Sequence, residues 1–167
     1  MRFIFWFVLL GWTAAAPAGA AAVDARLVFD FDFRQRPAGW TGDFTDYAWD
    51  FRDIYDLTFA YQLLPEYLAP GESGLFLSRA NHSDDLFMYI KGPLPGLPAD
   101  TCCRVDFSVE IATSAPSGCG GIGGPPGEAV TLKAGASARE PLPVVGEAWP
   151  RFVTLNLDKG NQVSGGV

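Results

Sequence analysis

The chain has 167 residues, with 12 Lys and Arg against 19 Asp and Glu, a formal charge of −7 at pH 7. That length holds about one domain, and 49% hydrophobic against 19% charged residues is the composition of a chain that buries a core, which excludes a disordered protein. The acidic balance excludes a phosphate backbone as partner, because nucleic-acid binding depends on clustered Lys and Arg.

Met1 and Arg2, the apolar run over residues 3–12 and the small residues 14–22 with Pro17 form the pattern of a secretory signal peptide. Ala18-Gly19-Ala20 supplies a cleavage site and Ala20-Ala21-Ala22 a second, so residues 1–20 are expected to be removed and residues 21–167 to form one exported domain. The apolar stretch is far shorter than the roughly 20 residues that span a bilayer. Trp12 stands where a lipoprotein would need Cys, and no second apolar run of spanning length follows. A periplasmic or extracellular product without a membrane span is the expectation.

Past that segment the period is that of strands. Leu27, Phe29, Phe31 and Phe33 alternate with Val28, Asp30, Asp32 and Arg34, which predicts a strand with an aromatic core face and an acidic outer face. Phe44, Tyr47, Phe51, Ile54, Tyr55 and Thr58 have helical spacing, whereas Tyr55, Leu57, Phe59, Tyr61 and Leu63 alternate as a strand. Aromatic richness favours the strand over residues 55–63, with a loop before it and room for a short helix in residues 43–52. Residues 75–79 and 86–90, flanking the polar stretch 81–85, read as a hairpin. A strand over residues 103–111 places Cys103, Val105, Phe107, Val109 and Ile111 on the core face and Cys102 on the other. Residues 129–134 and 152–157 supply two more strands. About six to seven strands without a repeat or a long helix predict an all-β fold, an antiparallel β-sandwich.

Export permits disulfides without requiring them. Cys119 lies in a Gly/Pro-rich loop past the far end of the 103–111 strand, roughly 30 Å of strand from the other two cysteines. It is expected to stay apart from them unless the loop doubles back. A vicinal Cys102–Cys103 bridge stays open as an alternative, at the cost of strain.

Phe29-Asp30-Phe31-Asp32-Phe33 followed by Gly39-Trp40, and then by repeated strand-turn units, resembles the opening strand of jelly-roll domains of the galactose-binding and carbohydrate-binding-module group. The stretches 81–88, 117–124, 133–137 and 158–162 resemble a family of uncharacterised bacterial exported proteins and lipoproteins, over a span from about Phe29 to the C-terminus. The resemblance implies an envelope or secreted location and a jelly-roll-like sandwich, and it carries no catalytic residues. Members of that family continue beyond the Asp158-Lys159-Gly160-Asn161-Gln162 stretch, so the sandwich is expected to lack its last strands.

His82 is the single histidine, which excludes a His₃ zinc site. A triad built on it would take Ser78 or Ser83 with Asp84 or Asp85, and a polar turn in which Asn81 and Asp84 bond nearby backbone accounts for the same residues. Asn81-His82-Ser83 is a glycosylation sequon only in a eukaryotic host. Residues 118–123 fit G-x-G-x-x-G but precede Pro125-Pro126 where a dinucleotide fold needs a helix. Asp30 and Asp32 project from one strand face roughly 7 Å apart, a solvated acidic face unless their pKa values diverge as glycosidase chemistry requires. A structural calcium would draw oxygens from Asp30, Asp32, Asp85 and Asp158, with Asn81 and Asp84 nearby, although no contiguous calcium loop exists.

On residues 86–90, Leu86, Met88 and Ile90 make one face and leave Phe87 and Tyr89 on the other. With Trp40, Tyr47 and Trp49 they predict a platform for sugar rings, with Asn81, His82 and Asp84 bonding hydroxyls. The expected function is thus an exported noncatalytic module that binds glycan. A structural or protein-interaction domain of the cell envelope, and a hydrolase using acidic residues near His82, are the alternatives.

Overall fold

The computed structural model describes residues 10–11, 26–80, 82, 85–97, 102–114, 117–118, 120, 125 and 130–161. In chain order the strands are β1 (Leu10–Gly11), β2 (Thr41–Thr45), β3 (Tyr47–Ala48), β4 (Thr58–Leu63), β5 (Ser73–Ser78), β6 (Phe87–Lys91), β7 (Cys103–Arg104), β8 (Pro143–Val145) and β9 (Phe152–Leu155). A 3-10 helix, Trp49–Tyr55, separates β3 from β4. Every pairing is antiparallel: β1 with β7, β2 with β6, β4 with β5, and β3-β9-β8 as a three-stranded sheet. The all-β reading therefore holds. Among the described residues no helix is long and apolar enough to cross a membrane.

The pairings follow the apolar pattern. Phe59 faces Leu77 and Tyr61 faces Leu75 across β4–β5, while Phe44 faces Met88 across β2–β6, so each ribbon places apolar side chains directly opposite one another. These ribbons stack through two buried clusters. Phe33, Trp40 and Leu75 centre the first, and Phe44, Tyr47, Tyr55, Leu86 and Val153 the second, with Phe59 packed against both. A Cβ on Gly42 would lie 2.2 Å from the Phe59 ring, so glycine on β2 is what lets the two ribbons approach.

Four expectations from the sequence need correction. The runs 75–79 and 86–90 do form strands, but they do not pair with each other: β5 pairs with β4 and β6 with β2. The 64–72 connection, closed by the Leu64 N–H donating to the Glu72 carbonyl at 2.8 Å, makes β4 the near partner of β5. Residues 27–33 join no ladder. Their alternation holds from Phe29 onward, because Phe33 is fully buried and Phe29 and Phe31 pack on the first cluster while Asp30 and Asp32 face out, but Leu27, expected on the same core face, is exposed.

Residues 103–111 are a strand only at Cys103–Arg104. Val105 and Phe107 reach the first cluster, but Cys103, Val109 and Ile111 are exposed, since the core is too short to cover the whole run. Cys102 and Cys103 are not bridged to each other. Residues 130–134 are exposed and outside any strand, with no buried face to set a register. The 55–63 strand begins at Thr58, and the short helix lies at Trp49–Tyr55, overlapping the end of the 43–52 window. Cys119, the 121–124 loop and Ala129 lie outside the described residues.

Candidate functional site

The 3-10 helix carries exposed Phe51 and Ile54, and it forms a corner with the segment before and along β9, which carries exposed Trp149 and Phe152. Asp50 in its first turn suits the positive end of a helix. Asp56 ends it in the left-handed region at φ 47°, where a short polar side chain is tolerated. A segment distant in sequence is tied to it from outside. The Trp49 N–H donates to the Arg151 carbonyl at 2.8 Å, and the Arg151 N–H donates to Asp50 Oδ2 at 2.7 Å. Arg151 Nε and Nη2 donate to Asp50 Oδ1 at 3.0 and 2.6 Å.

Those donors hold the Asp50 carboxyl below the usual carboxylate range and raise the Arg151 guanidinium. The pair fixes backbone and leaves aromatic side chains outside it. Trp149 is 78% exposed, Ile54 52%, and Phe51 and Phe152 48% each. The Arg52 guanidinium lies 4.9 Å from the centre of the Trp49 ring.

At the other end of the helix Tyr55 turns inward. Its ring lies 5.4 Å from that of Tyr47 and meets His82 edge-on at 5.8 Å, and its carbonyl accepts the Ala80 N–H at 2.7 Å. His82 is exposed. Between the two ends an open, mostly polar cleft of about 300 Å³ is lined by Arg52, Asp53, Asp56, Leu57 and Thr58. Of the residues singled out in the sequence, buried Tyr47 and exposed His82 both meet Tyr55 at one end of the helix, and Trp49 stands at the other.

The remaining residues of the expected platform lie elsewhere. Trp40 is 7% exposed, with Phe31 and Phe33 edge-on to it at 4.9 and 5.6 Å, so it fills the first core and offers no ring face to a ligand. Phe87 and Tyr89 do stack, at 5.6 Å and 17°, on the face of β6 shared with Thr45 and Asp43. The C-terminal segment crosses that face. Lys159 Nζ sits 5.1 Å from the Phe87 ring centre and pairs with Asp46. Lys91 Nζ donates to Glu140 at 2.8 Å and to the Pro141 carbonyl at 2.7 Å. The Tyr89 hydroxyl is buried without a hydrogen-bond partner, and burial, then Asp43 and Glu140, pushes its phenol up.

The acidic residues suggested for calcium are dispersed into local roles. Asp32 binds Arg34, Asp158 accepts the Gly160 N–H at 2.7 Å, and Asp30 and Asp85 are exposed. Among the described residues no group of three or more His, Cys, Asp or Glu is placed to hold a metal ion. Asn81, Ser83 and Asp84 lie outside the described residues.

Sequence reasoning passed over Phe51, Trp149, Arg151 and Arg79. Trp149 sits in no periodic run, beside Pro150, and only the fold brings it to the helix. Arg79 carries a legible signal, because it extends the Leu75, Leu77 alternation and so falls on a core face. No family model, curated protein or solved structure matches the chain.

Proposed function

We propose that the chain is an exported, noncatalytic β-sandwich module, jelly-roll-like in arrangement, that binds glycan along the 3-10 helix corner. The observation that carries this reading is the 78% exposure of Trp149, with Phe51 on the helix and Phe152 on β9 also exposed, on two segments that the Asp50–Arg151 pair ties together. Large apolar rings gathered on neighbouring segments lose little conformational freedom on binding, and the C–H face of a sugar covers them. Polar groups in the adjoining cleft, Arg52, Asp53 and Asp56, are of the kind that bond hydroxyls.

A second reading has its own observation. β8 is an edge strand of the three-stranded sheet, and Leu142, Val144 and Val145 on or beside it are exposed, which suits an envelope protein that adds a strand. Thermal melts of the full chain with a panel of polysaccharides separate the two. Glycan binding raises the midpoint with one sugar class, and Trp149→Ala weakens that affinity by about tenfold or more while Trp40→Phe leaves it unchanged. A midpoint that no sugar moves, with the chain eluting as a dimer through β8, overturns the glycan reading in favour of the second.

A further inference from the structure

The connection between β4 and β5 is a closed turn filled with apolar side chains that its closure does not need. Main chain bonds main chain throughout: the Leu64 N–H donates to the Glu72 carbonyl at 2.8 Å, the Leu68 and Ala69 N–H groups donate to the Pro65 carbonyl at 2.9 and 3.2 Å, and the Glu72 N–H donates to the Ala69 carbonyl at 3.2 Å. Gly71, at φ 75°, supplies the left-handed step that returns the chain to β5. Arg34 pins the base, where its carbonyl accepts the Ser73 N–H at 3.2 Å and its Nη1 lies 3.8 Å from Glu72. Turns are ordinarily made of Gly, Pro, Asn, Asp and Ser. Here Tyr67 is 81% exposed, more than Trp149 at the corner, with Leu63 at 66% and Leu68 at 50%.

These three side chains stand on one fixed support. Leu63 ends the ladder opposite Ser73, and Tyr67 and Leu68 close the bonded turn 65–68. A ring that is four-fifths exposed has almost no protein around it, as at a projecting tip. A protein partner would need about 800 Å² from this side, and three side chains stay below that even at the roughly 250 Å² of a large ring. A bilayer interface asks for less, because a few apolar side chains suffice for contact and tyrosine favours the headgroup level. Charge selects the headgroup. Glu66, exposed beside Tyr67, makes no ion pair among the described residues, and the chain carries −7. Anionic lipid repels such a tip, whereas the choline of a zwitterionic lipid offers Glu66 a cation.

We propose that the 64–72 turn is a membrane-contact tip that dips Leu63, Tyr67 and Leu68 into the interface of a zwitterionic bilayer. Contact is reversible, since three side chains bury too little for stable anchoring. Glycan binding at the corner is neither required nor excluded by it. The test mixes the full chain with phosphatidylcholine vesicles that carry a nitroxide-labelled lipid, which broadens the amide resonances of residues near the bilayer. Residues 66–68 are expected to broaden. Tyr67→Ser with Leu68→Ser is expected to lower partitioning into the vesicles about tenfold. The apolar residues 3–12 are common to both chains, so they do not account for a difference between them. Added phosphatidylserine is expected to weaken the contact.

Broadening confined to residues 3–12, or centred on Trp149, overturns the proposal, as does equal partitioning of the two chains. Partitioning that rises with phosphatidylserine overturns the choice of headgroup. A chain that elutes as a dimer, and as a monomer once it carries Tyr67→Ser, has a second copy as the occupant of the tip, and the membrane falls. Where the double variant melts below the natural chain, Tyr67→Ser alone supplies the comparison, with an expected loss of about threefold.

Discussion

Two aromatic surfaces of this chain are built from similar residues and reach opposite states. On β6, Phe87 and Tyr89 stack face to face under Lys159, with Glu140 and Pro141 held against Lys91 beside them. At the helix corner, Trp149, Phe51 and Phe152 stand largely in solvent. The difference lies in what the ion pairs grip. Lys159 reaches across a strand face from a distant segment to Asp46, so its ammonium lies over the ring beneath. Arg151 offers its own backbone N–H as well as its guanidinium to Asp50, so the pair holds main chain and the flanking aromatics are displayed. A cation above a ring hides it, and one that clamps the backbone beside a ring presents it.

The sharpest test of that comparison sets one glycine on each side. Gly92 follows β6, and a Cβ there would lie 2.2 Å from Trp40 Cε2, on a ring already packed against Phe31 and Phe33. Gly92→Ala is expected to destabilise the chain by about 3 kcal/mol in urea unfolding, the upper end of overpacking costs. Gly146, beside the corner, would place its Cβ 3.4 Å from the Phe152 carbonyl oxygen. Gly146→Ala is expected to stay within about 0.5 kcal/mol. Equal effects would mean that the core face of the β6 ribbon, behind the Phe87 and Tyr89 face, is no more tightly packed than the corner.

Truncating the rings themselves comes next. Phe87→Ala removes the stacking partner of Tyr89 and the ring under Lys159, and a loss of about 2 kcal/mol is expected, below the full cost for a buried phenylalanine because the residue is only half-buried. Trp149→Ala is expected to change stability by less than about 0.5 kcal/mol, as surface substitutions do, while it weakens the proposed glycan binding. Were Trp149→Ala to cost as much as Phe87→Ala, the corner would be a structural support and the comparison would collapse.

The contrast also marks what the sequence makes legible. Alternation along residues 86–90 places Phe87 and Tyr89 together and opposite Met88 and Ile90, and the fold agrees. What covers a face depends on residues far along the chain, and nothing near Phe87 announces Lys159. The same limit explains the hairpin. Local runs identify β5 and β6 as strands, but partner choice is settled by β2 and β4, whose apolar residues match theirs in register. Phe29, Phe31 and Phe33 show the converse, a period-two pattern that is fulfilled in burial without a ladder. Of the corner, Trp49 is legible as an aromatic outside the strand faces and His82 as the single histidine in a polar turn, whereas Asp50 and Arg151 become a pair only once β3 lies against β9.

Acid reaches the two surfaces differently. The Asp50 carboxyl is depressed by the Arg151 hydrogen bonds, so its contribution is fully present above the ordinary carboxylate value and is lost as pH falls through the lower folded value. The melting midpoint of the full chain should fall steadily as pH drops below about 4. Asp50→Asn should lower the midpoint at pH 7 and flatten that acid limb, because the amide keeps only part of the donor set and has no proton to gain. An unchanged acid limb would show that the corner is held by the Trp49–Arg151 backbone bond and β3–β9 alone.

The smallest effect belongs to the covered side. The Tyr89 phenol is pushed up by burial, with Asp43 and Glu140 adding to it. A folded value above the unfolded one means that this stabilisation is complete below the ordinary tyrosine value and drains away as pH rises beyond it. Near neutrality the hydroxyl is buried without an acceptor, so Tyr89→Phe should be neutral or slightly stabilising. Above pH about 10 the natural chain should lose stability faster than the variant, since phenylalanine has no proton to give up. Tyr47 is raised by burial as well and is present in both chains, so it cancels from the difference. Parallel curves for the two proteins across that range would mean that the C-terminal segment leaves Tyr89 open to water, and that the surface assigned as covered is as exposed as the corner.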